Sequence, residues 1–204
     1  QHFSMRVFTS GFLLAPTTGT NNPLAITPSP LTCEDLVRPL DQLDLHHLEG
    51  RRALVAGSLS DPAHLEHFKR RESASINFAN ETSKTSIIRV FGFGDSCEYL
   101  NSSIRLEGSG FTFYHNNLTV TVLYTSCPDC LVIRFDNESK LLRLYLFSRR
   151  REVEQKEMEE FSTQAKCLNM PPPVMMDPTK ELCPEQTSSD PAAQTGEKRE
   201  GQKA

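Results

Sequence analysis

The stretch that decides the fold is Phe111–Phe147, FTFYHNNLTVTVLYTSCPDCLVIRFDNESKLLRLYLF. Four runs rich in β-branched, aromatic and leucine residues are separated by three short polar connections. These are His115-Asn116-Asn117, Cys127-Pro128-Asp129-Cys130 and Asp136-Asn137-Glu138-Ser139-Lys140. Short strands joined by tight turns at regular spacing make an up-and-down antiparallel meander. A meander that continues must leave an edge or close into a barrel.

The chain upstream supplies more strands. Arg51–Ser60 alternates as a first strand, Ser73–Phe78 is a second that turns at Asn80, Thr85–Phe93 a third, and Cys97–Leu106 a fourth. With the meander this makes eight, the number whose closed barrel holds side chains or one small ligand. Asp61-Pro62 between strands one and two is a cap-and-first-position pair that starts a polar loop or helical turn. Residues 152–169 are charged, with Met158, Phe161, Ala165 and Leu168 spaced as a helical stripe that packs on the barrel wall. Pro171-Pro172-Pro173 stops that helix. The expected fold class is all-β: an eight-stranded antiparallel barrel with one C-terminal helix.

The remaining segments bound the domain. Residues 1–32 read as a signal-peptide-like or disordered leader, residues 33–184 as the barrel domain, and residues 185–204, poor in anything to bury, as a disordered tail. Six cysteines and four Asn-x-Ser/Thr sequons, at Asn80, Asn101, Asn117 and Asn137, point to a secreted, disulfide-bonded glycoprotein. Three of the sequons fall in expected turns, and Asn101 lies early in a strand. The net charge of −4, with 22 basic against 26 acidic residues, gives no electrostatic footprint for nucleic acid. No apolar run is long enough to cross a membrane as a helix.

The order of parts resembles a lipocalin, and within that family the α1-acid glycoprotein and apolipoprotein M group. The resemblance rests on Leu48–Ser58 (LEGRRALVAGS), on Cys97–Ser103 (CEYLNSS), on Glu160-Phe161 leading to Cys167-Leu168, and on Lys180–Cys183 (KELC). It covers residues 31–185 and looks closest to the fish tributyltin-binding and saxitoxin/tetrodotoxin-binding plasma proteins. It implies bonds Cys33–Cys167 and Cys97–Cys183. Cys127 and Cys130 have no counterpart in α1-acid glycoprotein. They are either a disulfide across the turn or a redox or soft-metal pair. The family's Gly-x-Trp signature is broken, because Arg52 stands where the tryptophan would be. An arginine there lays its stem across the closed end and must find acceptors for its head, so that end is expected to be looser or differently plugged.

The alternation assigns the faces. Arg134 is costly in a dry interior, so Ile133 and Phe135 point inward with Leu131. The leucines at 142, 144 and 146 suit the helix, which turns Arg143, Tyr145 and Phe147 inward. Threonines 119, 121 and 125 suit solvent, which turns Val120, Val122 and Tyr124 inward. The resemblance gives the same parity, and puts Ile87, Arg89, Phe91 and Phe93 inside on strand three and Tyr114 inside on strand five. These thirteen residues are the expected ligand-binding set. An apolar wall with a few placed polar groups suits a small molecule. The inward arginines favour an anionic ligand or a carboxylate partner, and no inward carboxylate stands on the assigned faces.

The expected function is a secreted, plasma-type monomeric carrier of a small hydrophobic or amphipathic ligand, with no cofactor, no metal and no catalysis. A scavenger of organotin or of guanidinium toxins, as in the fish relatives, is the alternative. An enzyme is the alternative of another class: His64, Glu66 and His67 lie close in sequence but lack a further ligand or a nucleophile order.

Overall fold

The structure, a computed structural model, describes residue 19 and residues 31–81 and 84–186. The expected leader and tail therefore lie almost wholly outside the described residues. The strands are β1 (Gly50–Leu59), β2 (Ser73–Glu81), β3 (Lys84–Phe93), β4 (Ser96–Glu107), β5 (Gly110–Phe113), β6 (Leu118–Leu123), β7 (Cys130–Asn137), β8 (Lys140–Ser148) and β9 (Val174–Met175). Strands β2 to β8 pair in sequence order. β1 then pairs with both β8 and β2, which closes an eight-stranded antiparallel barrel. The short β9 adds to the outer side of that junction through Ala56 and Gly57. Closure satisfies every edge that an open meander would leave for intermolecular pairing.

The helices are α1 (Cys33–Leu36), α2 (Leu45–Leu48), α3 (Pro62–Arg70) and α4 (Gln155–Cys167). α3 starts as the sequence dictates: the Asp61 side chain accepts from the Ala63 N–H, and Pro62 fills a position that needs no donor. α4 carries a capping box between Glu154 and Glu157. Its stripe packs as expected. Phe161 and Ala165 are buried against Val132, Leu144 and Leu146 of the barrel's outer face, with Met158 and Leu168 alongside.

The barrel's two ends differ. The connections β1–β2, β3–β4, β5–β6 and β7–β8 share one end, and the first of these carries α3 across it. The others, with α1, α2 and the β6–β7 turn, close the opposite end. Disulfides Cys33–Cys167 and Cys97–Cys183 form, and the third joins Cys127 to Cys130 across its turn. The first ties the N-terminal turn to α4. The second ties the C-terminal segment to β4, where the Tyr99 hydroxyl also donates to Pro184 O at 2.7 Å.

The closed end is not loose in the absence of the tryptophan. Arg52 is 5% exposed, and its guanidinium donates to the backbone carbonyls of Leu48, at 2.8 Å, and His47. Those carbonyls end α2, where helix carbonyls lack partners and a cation is favoured. The arginine thus exchanges an indole's packing for a cap on the helix that plugs the barrel. Burial holds the Arg52 pKa below its ordinary value, and the Arg149 cation adds to that.

Candidate functional site

The inner face is one continuous hydrophobic cluster. Of the thirteen residues expected there, Ile87, Val120, Val122, Ile133, Phe135, Tyr145 and Phe147 belong to it, and Phe91 packs against it. Arg89 and Arg143 join it through their aromatic neighbours. The Arg89 guanidinium lies 5.0 Å from the Phe113 ring centre, and that of Arg143 lies 5.0 Å from Phe135. Such contacts let a cation sit among apolar groups at reduced desolvation cost.

Three residues stand elsewhere than expected. Tyr114 is 56% exposed. It falls past the end of β5, in a turn that Asn116 shapes by accepting from the Leu118 N–H, and its ring stacks under Arg105. The inward residues of β5 are Phe111 and Phe113, which pack edge-on to each other. Tyr124 lies past the end of β6, its ring 5.5 Å from the Arg38 guanidinium and away from the inner cluster. Its backbone leaves the sheet to pair with the N-terminal segment, donating to Arg38 O at 2.8 Å. Phe93, the last residue of β3, is half-buried at the rim and stacks on His67 of α3. The inward face also holds residues outside the expected set: Ala74, Ile76 and Phe78 on β2, Leu54 on β1, Ile104 on β4, and Phe68 from α3.

Two charged residues also change the site. Arg71, at the C-terminal cap of α3, lays its guanidinium 4.1 Å from the Phe91 ring centre and faces Tyr145 and Arg143. Burial pulls its pKa down. Tyr145 opposes that shift, and the Arg143 cation adds to it. Glu98 lies on β4, a strand whose faces the sequence alternation does not assign. It pairs with Phe91 across β3–β4 and so shares the inward parity, but it sits exposed near the rim.

The polar atoms deep in the upper barrel are not satisfied. Arg71 Nε, Arg143 Nε and Tyr145 OH are buried and find no hydrogen-bond partner among the described residues. The Tyr145 hydroxyl lies beside the Arg71 guanidinium and favours its charged form. Arg89, by contrast, donates to Ser102 Oγ at 3.2 Å. A buried donor left unmade costs on the order of 1–3 kcal/mol, more when charged. Two guanidiniums and a phenol converge there, each with one buried polar atom left unpaired, while the Glu98 carboxylate acts on Arg71 from the rim.

The bore itself is filled. Phe68, Phe111 and Ile133 are 1% exposed, and no residue of the inner cluster exceeds 8%. The cavities of about 520 and 530 Å³ lie at the closed end, outside the barrel. One is lined by the β6–β7 turn and α4, the other by residues 42–46, Glu49, Asn80 and Leu106.

His64 Nδ1 is 3.0 Å from Asp61, while His67 turns to Phe93. Among the described residues one cluster, Cys127, Asp129, Cys130 and Glu157, has metal-like proximity. Its sulfurs are joined in a disulfide. Its centre is held by Arg150, whose Nη2 lies 2.8 Å from Asp129 and 2.9 Å from Glu157. Hydrogen bonding to Arg150 holds the Asp129 carboxyl below the usual range. The grouping is a satisfied ionic brace between the β6–β7 turn and α4.

The sequon asparagines are all exposed. Asn101 lies in β4, Asn117 in the β5–β6 turn and Asn137 at the end of β7. Asn80 is not in a turn: it is still paired, with Thr85, near the end of β2.

Comparison with known proteins agrees with this architecture. The family model of the ApoM domain matches residues 101–186. The solved structure of the siderocalin Ex-FABP matches with a TM-score of 0.57 at 16% identity, over 69% of this chain and 97% of that one. The solution structure of lipocalin 12 from rat epididymis matches with a TM-score of 0.58 at 13% identity, over 71% and 91%. No curated protein sequence matches. The fold is that of the lipocalins.

Proposed function

We propose that this protein is a secreted carrier that binds a small amphipathic molecule reversibly inside the barrel, with the molecule's anionic group held by Arg71, Arg143 and Tyr145. The observation that carries the reading is the convergence of Arg71, Arg143 and Tyr145 above an apolar bore, with Arg71 Nε, Arg143 Nε and the Tyr145 hydroxyl buried and unpaired among the described residues. An anion entering there would pair with two guanidiniums that otherwise repel one another, in surroundings where charge-assisted bonds are strong. The apolar tail would displace or repack side chains of the lower bore and gain about 25 cal/mol per Å² removed from water. Phe91 and Phe135, each under an arginine, would keep the cations in place beside it.

Three disulfides support an oxidising, extracellular setting. Glycans at Asn117 and Asn137 would flank the mouth, and those at Asn80 and Asn101 would lie elsewhere on the barrel. The scavenger alternative divides by charge. A guanidinium toxin would meet Arg71, Arg89 and Arg143 and be repelled. An organotin compound, mostly apolar, is compatible with the walls but leaves the three donors unanswered.

Displacement of a fluorescent fatty acid is the test. Binding that is competed by unlabelled amphipaths and weakened by substitutions at Phe91 and Tyr145 supports the carrier. Absence of displaceable binding by any lipophile, with those substitutions silent, removes it.

A further inference from the structure

α3 is exposed along its length except at half-buried Leu65 and at Phe68. Phe68 is its single buried side chain, 1% exposed, and it enters the barrel from above. Its ring centre is 5.7 Å from that of Tyr145. The wall opposite has been cut away to receive it. A Cβ on Gly57 would stand 2.7 Å from Phe68 Cε2 and 2.8 Å from the Tyr145 ring, closer than side chains tolerate. Gly57 has no positive φ to explain a glycine there. It is a notch of one missing methyl group, and Phe68 sits in it.

The surroundings of the notch are those of the anion site. Tyr145 forms its floor and also carries the unpartnered hydroxyl, and Arg71 follows Phe68 by three residues. The two side chains are anchored differently. Arg71 is held near the sheet, because the next residue donates from Glu72 N to Gly92 O at 2.8 Å. Phe68 is held by α3, whose other inward contact is the half-buried Leu65.

We propose that the socket formed by Gly57 and the Tyr145 ring is a binding subsite for a flat aromatic group, and that Phe68 is its tethered occupant. This rests on the carrier reading and narrows it. The ligand is an aryl-bearing anion, or an amphipath with a flat apolar segment next to its charge. It binds by exchanging its own ring for that of Phe68 and presenting its anion to Arg71, Arg143 and Tyr145. Phe68 is the residue that sets specificity, because a ligand without a group to fill the socket leaves a void when the plug withdraws.

The free-ring experiment uses benzoate with wild-type protein, Phe68→Ala and Phe68→Leu. Benzoate supplies in solution the ring that the alanine variant lacks. It should raise the melting temperature of Phe68→Ala progressively with concentration and that of the wild type only at about tenfold higher concentration, while acetate moves neither. Equal responses from wild type and variant, or none from a folded Phe68→Ala, overturn the proposal. Phe68→Leu covers the case in which the alanine variant does not fold. If the socket is open in about a tenth of wild-type molecules, loosening the plug tightens a dansyl-labelled fatty acid by up to about tenfold. Where the wild type binds that probe, unchanged or weaker binding by Phe68→Leu overturns the proposal. The same titration separates the two readings. Labelled fatty acid bound equally by all three forms removes the socket and leaves the carrier. No such binding by any form, with the benzoate response intact, leaves the socket and removes the lipid carrier.

Discussion

Tyr145→Phe is the substitution whose outcome follows most tightly from the structure. The ring is packed on Phe68, Phe135 and Phe147 at centre distances of 5.7, 5.4 and 6.1 Å, and phenylalanine keeps every one of those contacts. Only the hydroxyl is lost. That hydroxyl is buried and unpartnered, so the ligand-free protein carries its desolvation cost without a bond in return. An unsatisfied buried hydroxyl costs on the order of 1–3 kcal/mol, and the nearby Arg71 cation offsets part of it. The variant should therefore be more stable by about 1 kcal/mol, which for a chain of this size raises the melting temperature by about 2–4 °C. Binding of an anionic amphipath should fall at the same time, by about ten- to a hundredfold, the worth of one hydrogen bond to a charged group. Differential scanning calorimetry and a fluorescent fatty-acid titration read the two effects. A variant that is less stable than wild type, with affinity unchanged, would show that the hydroxyl is satisfied and takes no part in binding.

Other expectations concern the frame that holds the site. Arg52→Leu should cost about 2–3 kcal/mol in a denaturant melt, because it leaves the His47 and Leu48 carbonyls without a donor at the closed end. Loss of the Cys127–Cys130 bond, which spans a separation of 3, should cost about 2 kcal/mol. Loss of Cys33–Cys167, which spans 134, should approach about 5 kcal/mol in the chain-entropy account; paired serine variants compared by urea midpoint check the order. The Asp129–Arg150 pair sets a pH dependence. Because the folded-state pKa of Asp129 is depressed, its contribution is fully present above the ordinary aspartate value of about 3.9 and is lost as pH falls through the lower folded value. Arg150→Met should flatten that part of the acid stability profile.

The barrel was legible because its signals are local and repeated. Alternation, turn residues and the cap at Asp61-Pro62 each act within a few residues, and the cysteine pattern pinned the ends. The same logic located the outward leucines 144 and 146 and the inward Ile133, Phe135, Tyr145 and Phe147. It failed where resemblance was followed against the pattern. Thr112 between Phe111 and Phe113 asks for the two phenylalanines inside, as the threonines of β6 do for its valines. Placing Tyr114 inside required the opposite parity. Ala74, Ile76 and Phe78 also alternate cleanly, and that face was readable from the sequence alone. Tyr124 could not be read this way, because the strand ends one residue earlier to pair with the N-terminal segment, a contact far away in sequence. Arg71 and Phe68 were hidden for a related reason. They lie in a stretch that reads as a polar loop, and only the passage of α3 over the mouth turns one phenylalanine and one arginine into the barrel. The filling of the bore is likewise a property of packing, since the same inward residues could line a cavity or occupy it.

On the proposed reading, the barrel recognises an anion at Arg71, Arg143 and Tyr145 beside an apolar bore. Calorimetric titration of a carboxylic acid and the alcohol of the same chain length tests it most directly, in wild type and in Arg71→Gln/Arg143→Gln. The acid should bind the wild type at least about tenfold more tightly than the alcohol, about 1.4 kcal/mol, and the double variant should bring the two together by weakening the acid alone. Equal affinities for acid and alcohol in the wild type, or an acid preference that survives the double substitution, would contradict the account.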